Sequence, residues 1–255
     1  MPYRNHAKDL AARAPIGLLR QYWTDEASRR RFVDNLFDGT ARDYDCVERL
    51  LALGSGARYR RQALERCGLK SGMHVLDIAT GTGLVAREAM ALVGSTGSVA
   101  GLDASAGMLD QARALGIALV RARGEQLPCA DASFDFVSMG FALRHVTDLG
   151  ALFAEIHRVL KPGGTVCILE ITRPRRPAIS TTLRVFMTHV VPAVAWLARR
   201  RDAARRLMGF YWDTIDACVP PETVLVALRR AGFAAPRRGV TLGMFSEYVA
   251  ARSAR

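Results

Sequence analysis

Gly81 and Gly83, with Ala86 three residues further on, stand between an apolar run, Val75-Leu76-Asp77-Ile78, and a helix-forming segment from Leu84 to Leu92. This Gly-x-Gly-x-x-Ala spacing lets a chain turn tightly out of a strand and aims the free N–H groups of the next helix at a ligand. Asp103 ends the following apolar run twenty residues after Gly83, where a carboxylate can accept from ribose hydroxyls. The set predicts a cradle for a nucleotide-type cofactor, whereas an ordinary strand-to-helix turn would require neither the acid nor its spacing.

Asp77 bears on which cofactor. A carboxylate four residues before Gly81 repels phosphate, so the turn suits a cationic ligand, and S-adenosylmethionine carries both a sulfonium and an ammonium. The other reading of Asp77 is an acid that caps the turn itself. On the acceptor side, Arg144 falls just beyond the fourth apolar strand, where an open α/β sheet forms its ligand crevice. Its guanidinium could stabilise a phenolate, or pair with Asp148 one turn on. His145 and His189 are the candidate bases of near-neutral pKa, or else surface histidines. Tyr44, Tyr211 and Trp212 are either contacts of an aromatic ligand or core residues.

The run Val75-Leu76-Asp77-Ile78-Ala79-Thr80-Gly81-Thr82-Gly83 resembles motif I of class I S-adenosylmethionine-dependent methyltransferases. Glu125-Gln126-Leu127-Pro128, Phe141-Ala142-Leu143-Arg144-His145-Val146-Thr147-Asp148 and Arg158-Val159-Leu160-Lys161-Pro162-Gly163-Gly164 are similar to segments of the UbiE-like ubiquinone/menaquinone C-methyltransferases, over roughly 40–249. The resemblance implies cofactor contacts at Asp77, Ala79, Gly81, Thr82, Gly83, Asp103, Ala104, Met108, Arg123, Gly124, Glu125 and Gly140, with Arg144, His145 and His189 as catalytic candidates. It also implies a helical annex folded over the cofactor. Three positions depart from the family pattern: His145 stands for Asn, Arg123 for the Asn or Asp that usually meets adenine, and Gly140 for Ser. Arg144 keeps the family residue and is the expected acceptor contact, so returning His145 to Asn should change little.

The elements around these residues follow from periodicity. Strands are expected near 73–78, 98–102, 117–121, 135–139 and 165–170, with helices near 84–92, 106–115 and 149–160, the alternation of a parallel sheet covered on both faces. Two closely spaced runs near Val240 and 245–249 predict an antiparallel hairpin after a helix at 222–230. The fold class is therefore α/β: a Rossmann-like, seven-stranded, mostly parallel sheet with a terminal antiparallel hairpin, an N-terminal helical annex and a helical lid insertion. The expected organisation is annex 1–70, cofactor-binding core 71–171, lid 172–220, and a closing helix and hairpin at 221–255. Within the annex, Tyr44-Asp45 is expected to open a second helix through Leu53, and Arg58 to Cys67 a third.

The lid is apolar from Leu183 to Leu197 and lies between arginine clusters, Arg173, Arg175 and Arg176 before it and Arg199–Arg201 with Arg205 and Arg206 after it. Such a segment lies on an anionic membrane, roofs a greasy pocket, or is ordinary helix packing ringed by charge. The chain has 255 residues, half of them hydrophobic, and 36 basic residues, all but three of them arginine, that bring the formal charge to +12. These are spread along the whole sequence rather than gathered into a nucleic-acid surface. Five cysteines form no C-x-x-C pair, so neither a disulfide frame nor a metal site is expected. No signal peptide and no uncharged span of about 20 apolar residues is read, and a cytoplasmic location with peripheral membrane contact through the lid is expected.

The leading functional expectation is methyl transfer from S-adenosylmethionine to a quinone-like or other lipophilic aromatic small molecule, at carbon or oxygen, including natural-product tailoring. The alternatives are a nucleotide-dependent oxidoreductase and a non-catalytic S-adenosylmethionine-binding protein at the membrane. Expected partners are the small-molecule acceptor, a membrane surface and a second copy of the chain, but no nucleic acid.

Overall fold

Alternation along the predicted strands builds a seven-stranded sheet in the order β3-β2-β1-β4-β5-β7-β6. In the computed structural model, which describes residues 19–197 and 201–254, β1 (His74–Ile78), β2 (Ser98–Asp103), β3 (Ala118–Arg121), β4 (Phe134–Gly140) and β5 (Leu160–Ile171) run parallel. β6 (Phe233–Thr241) and β7 (Phe245–Arg252) add the antiparallel hairpin, β7 pairing with β5. Period-two alternation feeds two cores. Leu76, Ile78, Val137 and Met139 face α5 (Leu149–Val159) and α9 (Pro221–Arg230), whereas Val75 and Phe136 face α2 (Gly56–Arg66) and α3 (Leu84–Val93). The strand order reverses between β1 and β4, so their carboxyl ends open the crevice of a doubly wound sheet.

A third core roofs that crevice. Trp23 and Val47 pack with Met187, Val191, Leu207, Met208, Phe210 and Tyr211, so the annex helix α1 (Glu26–Leu51) and the lid helices α6 (Pro177–Val185), α7 (Val191–Leu197) and α8 (Arg201–Asp216) share one hydrophobic cluster. α1 corrects the expectation of a helix break at Tyr44-Asp45: it is continuous over 26 residues. Its N-terminus is fixed by a capping box in which Ser28 N–H donates to Asp25 and Asp25 N–H donates to Ser28 Oγ, at 2.7 and 3.0 Å. Asp45 caps nothing, because its carboxylate accepts from the hydroxyl of Thr82 at 2.5 Å.

The lid keeps its helical course past Pro192 through a π turn, Phe186–Val190, in which Val191 N–H reaches the Phe186 carbonyl five residues back. The run Pro177–Trp196, with mean hydropathy 1.3 and a single charge at Arg184, is long and apolar enough to cross a membrane by length and composition. With Arg184 inside it, the run is not the uncharged span whose absence was expected, and Met187, Val191 and Ala195 are buried in the shared helical core. The first 18 residues of the expected annex, and Arg199 and Arg200 of the lid, lie outside the described residues.

Candidate active site

The turn after β1 is held by backbone geometry that glycine permits. Gly81 and Gly83 have φ of +57° and +89°, and a Cβ on Gly83 would lie 2.3 Å from Leu115 Cδ1. A Cβ on Gly81 would meet open space, which is the cavity itself. Asp103 stabilises the turn from the end of β2: its carboxylate accepts from Gly81 N–H and from Ser105 N–H, both at 2.8 Å. Burial raises its pKa against those hydrogen bonds.

Asp77 takes the second of its two expected places, as an acid of the turn rather than part of the cavity lining. Its side chain is fully buried within the sheet, accepting from Thr80 Oγ1 at 2.7 Å and Ser138 Oγ at 2.6 Å, and it does not line the cavity. It braces the turn from behind. Burial, only partly offset by the two hydroxyls, lifts its pKa from 3.8 to about 6. An acid whose folded value lies above its unfolded one binds more protons when folded, so stability falls as pH rises from about 4 through 6. A displacement of this size corresponds to on the order of 3 kcal/mol. Urea unfolding across this pH range should show a decline that Asp77→Asn flattens, and parallel profiles for the two proteins would contradict it.

Ten of the sequence-predicted residues meet around one cavity: Ala79, Gly81, Asp103, Ala104, Met108, Arg123, Gly124, Glu125, Gly140 and His145. Thr82 and Gly83 do not line it. Thr82 spends its hydroxyl on Asp45, and Gly83 packs against Leu115. Sequence reasoning missed α1's share, Val33, Asp34 and Phe37, which enter the wall at helical spacing. Arg123 is ion-paired with Asp34 at 2.6 Å, and Glu125 accepts from Thr147 N–H and Oγ1, both at 2.7 Å. A Cβ at Gly140 would lie 2.5 Å from Val85 Cγ2, so Val85 fills the room that the family's serine would need.

This lining fits S-adenosylmethionine. Asp103 lies at the turn with acceptor capacity for ribose, Leu102, Met108 and Ile78 supply apolar surface for a flat base, and no Cβ obstructs Gly81.

His145 stands at the inner wall. Its ring stacks on Phe210 at 5.3 Å and meets Phe37 edge-on at the same distance. Both ring nitrogens are buried without a hydrogen-bond partner among the described residues. Burial, reinforced by Arg144 and Arg29, holds its pKa well below the usual histidine range, so the ring is neutral at physiological pH.

Arg144 points away from that cavity into a second one, of about 310 Å³, lined by Val47, Leu51, Ile171, Leu183, Phe186, Met187, Leu207, Met208, Met244 and Phe245. Its side chain is 1 % exposed. The guanidinium forms an ion pair with Glu170, donates to the Phe141 carbonyl at 2.9 Å and to Thr214 Oγ1 at 3.2 Å, and lies 4.9 Å from the Tyr211 ring centroid. The alternative partner Asp148 instead caps α5 by accepting from Ala151 N–H at 3.0 Å. Tyr44 and Phe141 line both cavities, and Phe141 sits there at φ +60°, a conformation a bulky residue adopts only when its surroundings enforce it. Tyr211 lines the second cavity, while Trp212 is core. His189 is exposed, its Nδ1 2.8 Å from Thr188 Oγ1, and lines neither cavity.

Comparison with known proteins agrees with this geometry. The ubiE/COQ5 methyltransferase family matches residues 24–250. The ubiquinone/menaquinone biosynthesis C-methyltransferase UbiE of Hahella chejuensis is 33% identical over 208 residues, 78% of this chain and 82% of that protein. The demethylmenaquinone methyltransferase of Symbiobacterium thermophilum is 31% identical over 215 residues, 80% and 86% of the two chains. Among solved structures, a SAM-dependent methyltransferase from Thermotoga maritima, described as a possible histamine N-methyltransferase, superposes with TM-score 0.61 at 20% identity, covering 86% of this chain and 99% of that one. One from Aquifex aeolicus does so with TM-score 0.54 at 21%, covering 76% and 89%. With its cofactor cavity intact and the family match running through both cavities, this chain belongs to the ubiE/COQ5 methyltransferase family and is an S-adenosylmethionine-dependent methyltransferase.

Proposed function

We propose that the acceptor is a lipophilic aromatic ring of the quinol or phenol type, held in the second cavity. The observation that carries this reading is the wall the two cavities share: a largely apolar chamber has Tyr44 and Phe141 in common with the cofactor cavity, and two buried cations, Arg144 paired with Glu170 and Arg60 paired with Glu48, lie in its lining. A flat apolar ring with an ionisable oxygen matches that lining, whereas a polar or charged acceptor would lose its hydration there.

S-adenosylmethionine, when bound, supplies a methyl group on a sulfonium. The protein's part is alignment and control of charge. Gly81, Asp103 and the apolar wall hold the donor side, and Tyr44 and Phe141 mark where the two sites meet. Arg144 stabilises an anionic acceptor oxygen without changing protonation state, which makes the ring carbon or the oxygen a better nucleophile. His145, neutral and on the donor side, offers a hydrogen bond rather than a store for the acceptor's proton.

Filling the second chamber tests the assignment. Leu183→Trp places bulk into its wall from a half-buried position. The KM for a lipophilic phenolic acceptor should rise at least tenfold, about 1.4 kcal/mol, with S-adenosylmethionine affinity unchanged. Unchanged KM in a folded variant would place the acceptor elsewhere.

A further inference from the structure

We infer that the mouth of the second cavity docks on an anionic lipid surface through two exposed leucines, Leu53 and Leu242. The inference rests on the reading of that cavity as the acceptor site, and it moves the membrane contact from the lid arginines to two turns. Leu53 lies in the turn between α1 and α2, and Leu242 at the tip of the β6–β7 hairpin. They are 79% and 76% exposed, far more than the other exposed large hydrophobic residues among those described, and both line the cavity that contains Arg144. Both have positive φ, +50° and +52°, a backbone conformation leucine rarely takes and one that asparagine or glycine fills more readily. A strained, solvent-exposed leucine gains nothing from the folded chain itself, and here two of them, distant in sequence, stand beside one apolar opening.

The charges around them favour lipid as the partner. Arg49 and Arg58 flank the Leu53 turn, and Arg184 follows Leu183 of the cavity wall. All three are exposed and have no carboxylate partner among the described residues. The arginine cluster that precedes the apolar lid run, by contrast, is partly committed: Arg173 pairs with Asp216 at 2.8 Å and Arg175 with Glu222 at 3.6 Å. Two separate apolar points on one cavity, with free cations beside the Leu53 turn and next to the cavity wall at Leu183, suit a deformable anionic interface better than a shaped protein surface. On this arrangement a lipophilic acceptor passes from the bilayer into the chamber without crossing water.

The test uses the full chain and vesicles without acceptor, so that docking is read apart from the acceptor assignment. Co-sedimentation is measured with phosphatidylglycerol/phosphatidylcholine vesicles and with phosphatidylcholine alone, for the wild type and for Leu53→Asn/Leu242→Asn. Asparagine suits the left-handed backbone, and thermal unfolding verifies that the variant folds. The wild type should bind the anionic vesicles, more weakly as salt is raised, and the double variant should lose at least tenfold in affinity at low salt. Wild type that stays in the supernatant with every vesicle would overturn the inference, as would a folded double variant that binds as well as wild type. Concentration-dependent self-association lost in the double variant, without vesicle binding, would assign the two leucines to a second copy of the chain instead. Acceptor binding measured separately in detergent reports on the chamber itself, so failure of one reading is distinguished from failure of the other.

Discussion

Arg144→Ala should lose both stability and turnover. The guanidinium is wholly enclosed and paired with Glu170, itself 1 % exposed, so removing it leaves a buried carboxylate without its cation. The cost is about 3–5 kcal/mol. A loss of activity in this variant alone would therefore be ambiguous, and the double replacement Arg144→Met/Glu170→Met resolves it. Exchanging a buried pair for apolar side chains of similar volume is often neutral for the fold. The double variant should recover most of the melting temperature and bind S-adenosylmethionine within a few-fold of wild type. Its turnover should stay down by about a hundredfold, roughly 2.7 kcal/mol of transition-state stabilisation. A stable double variant with wild-type turnover would reduce Arg144 to a structural ion pair.

Gly81→Val is expected to abolish cofactor binding while leaving the sheet intact. The position needs a φ of +57°, which a β-branched residue tolerates poorly, and the added side chain would project into the cavity rather than into protein. The fold should lose on the order of 1–3 kcal/mol from backbone strain. Titration calorimetry should show S-adenosylmethionine affinity reduced at least a hundredfold. Near-normal affinity would mean that the ligand lies away from this turn.

Much of the site was readable because its signals are local. The glycine turn, Asp103 at the end of the next strand, and the strand–helix alternation all depend on spacing within about 30 residues, and each formed where expected. For Asp77 the alternative reading, an acid of the turn, is the one the structure takes, and the signal that decides it was present. Strand parity puts it on the side of Val75, opposite Leu76 and Ile78, and so against Ser138 of the neighbouring strand. Arg144 has its partner 26 residues away, at the end of the adjacent strand, where spacing arguments favoured the nearer Asp148. Asp34 and Phe37 could not be assigned to the cavity without knowing which face of α1 meets the sheet, and the helix itself was divided wrongly because Asp45 reads as a cap. That a serine at Gly140 would crowd the methyl of Val85 is visible only in three dimensions.

Transfer of a labelled methyl group from S-adenosylmethionine, followed into the organic phase of a lipid extract, tests the central claim most directly. The two-cavity arrangement predicts label in an extractable aromatic product, formed by the wild type and lost in Arg144→Met/Glu170→Met. Label confined to water-soluble acceptors, with the apolar chamber of a folded and cofactor-competent protein playing no part, would contradict it.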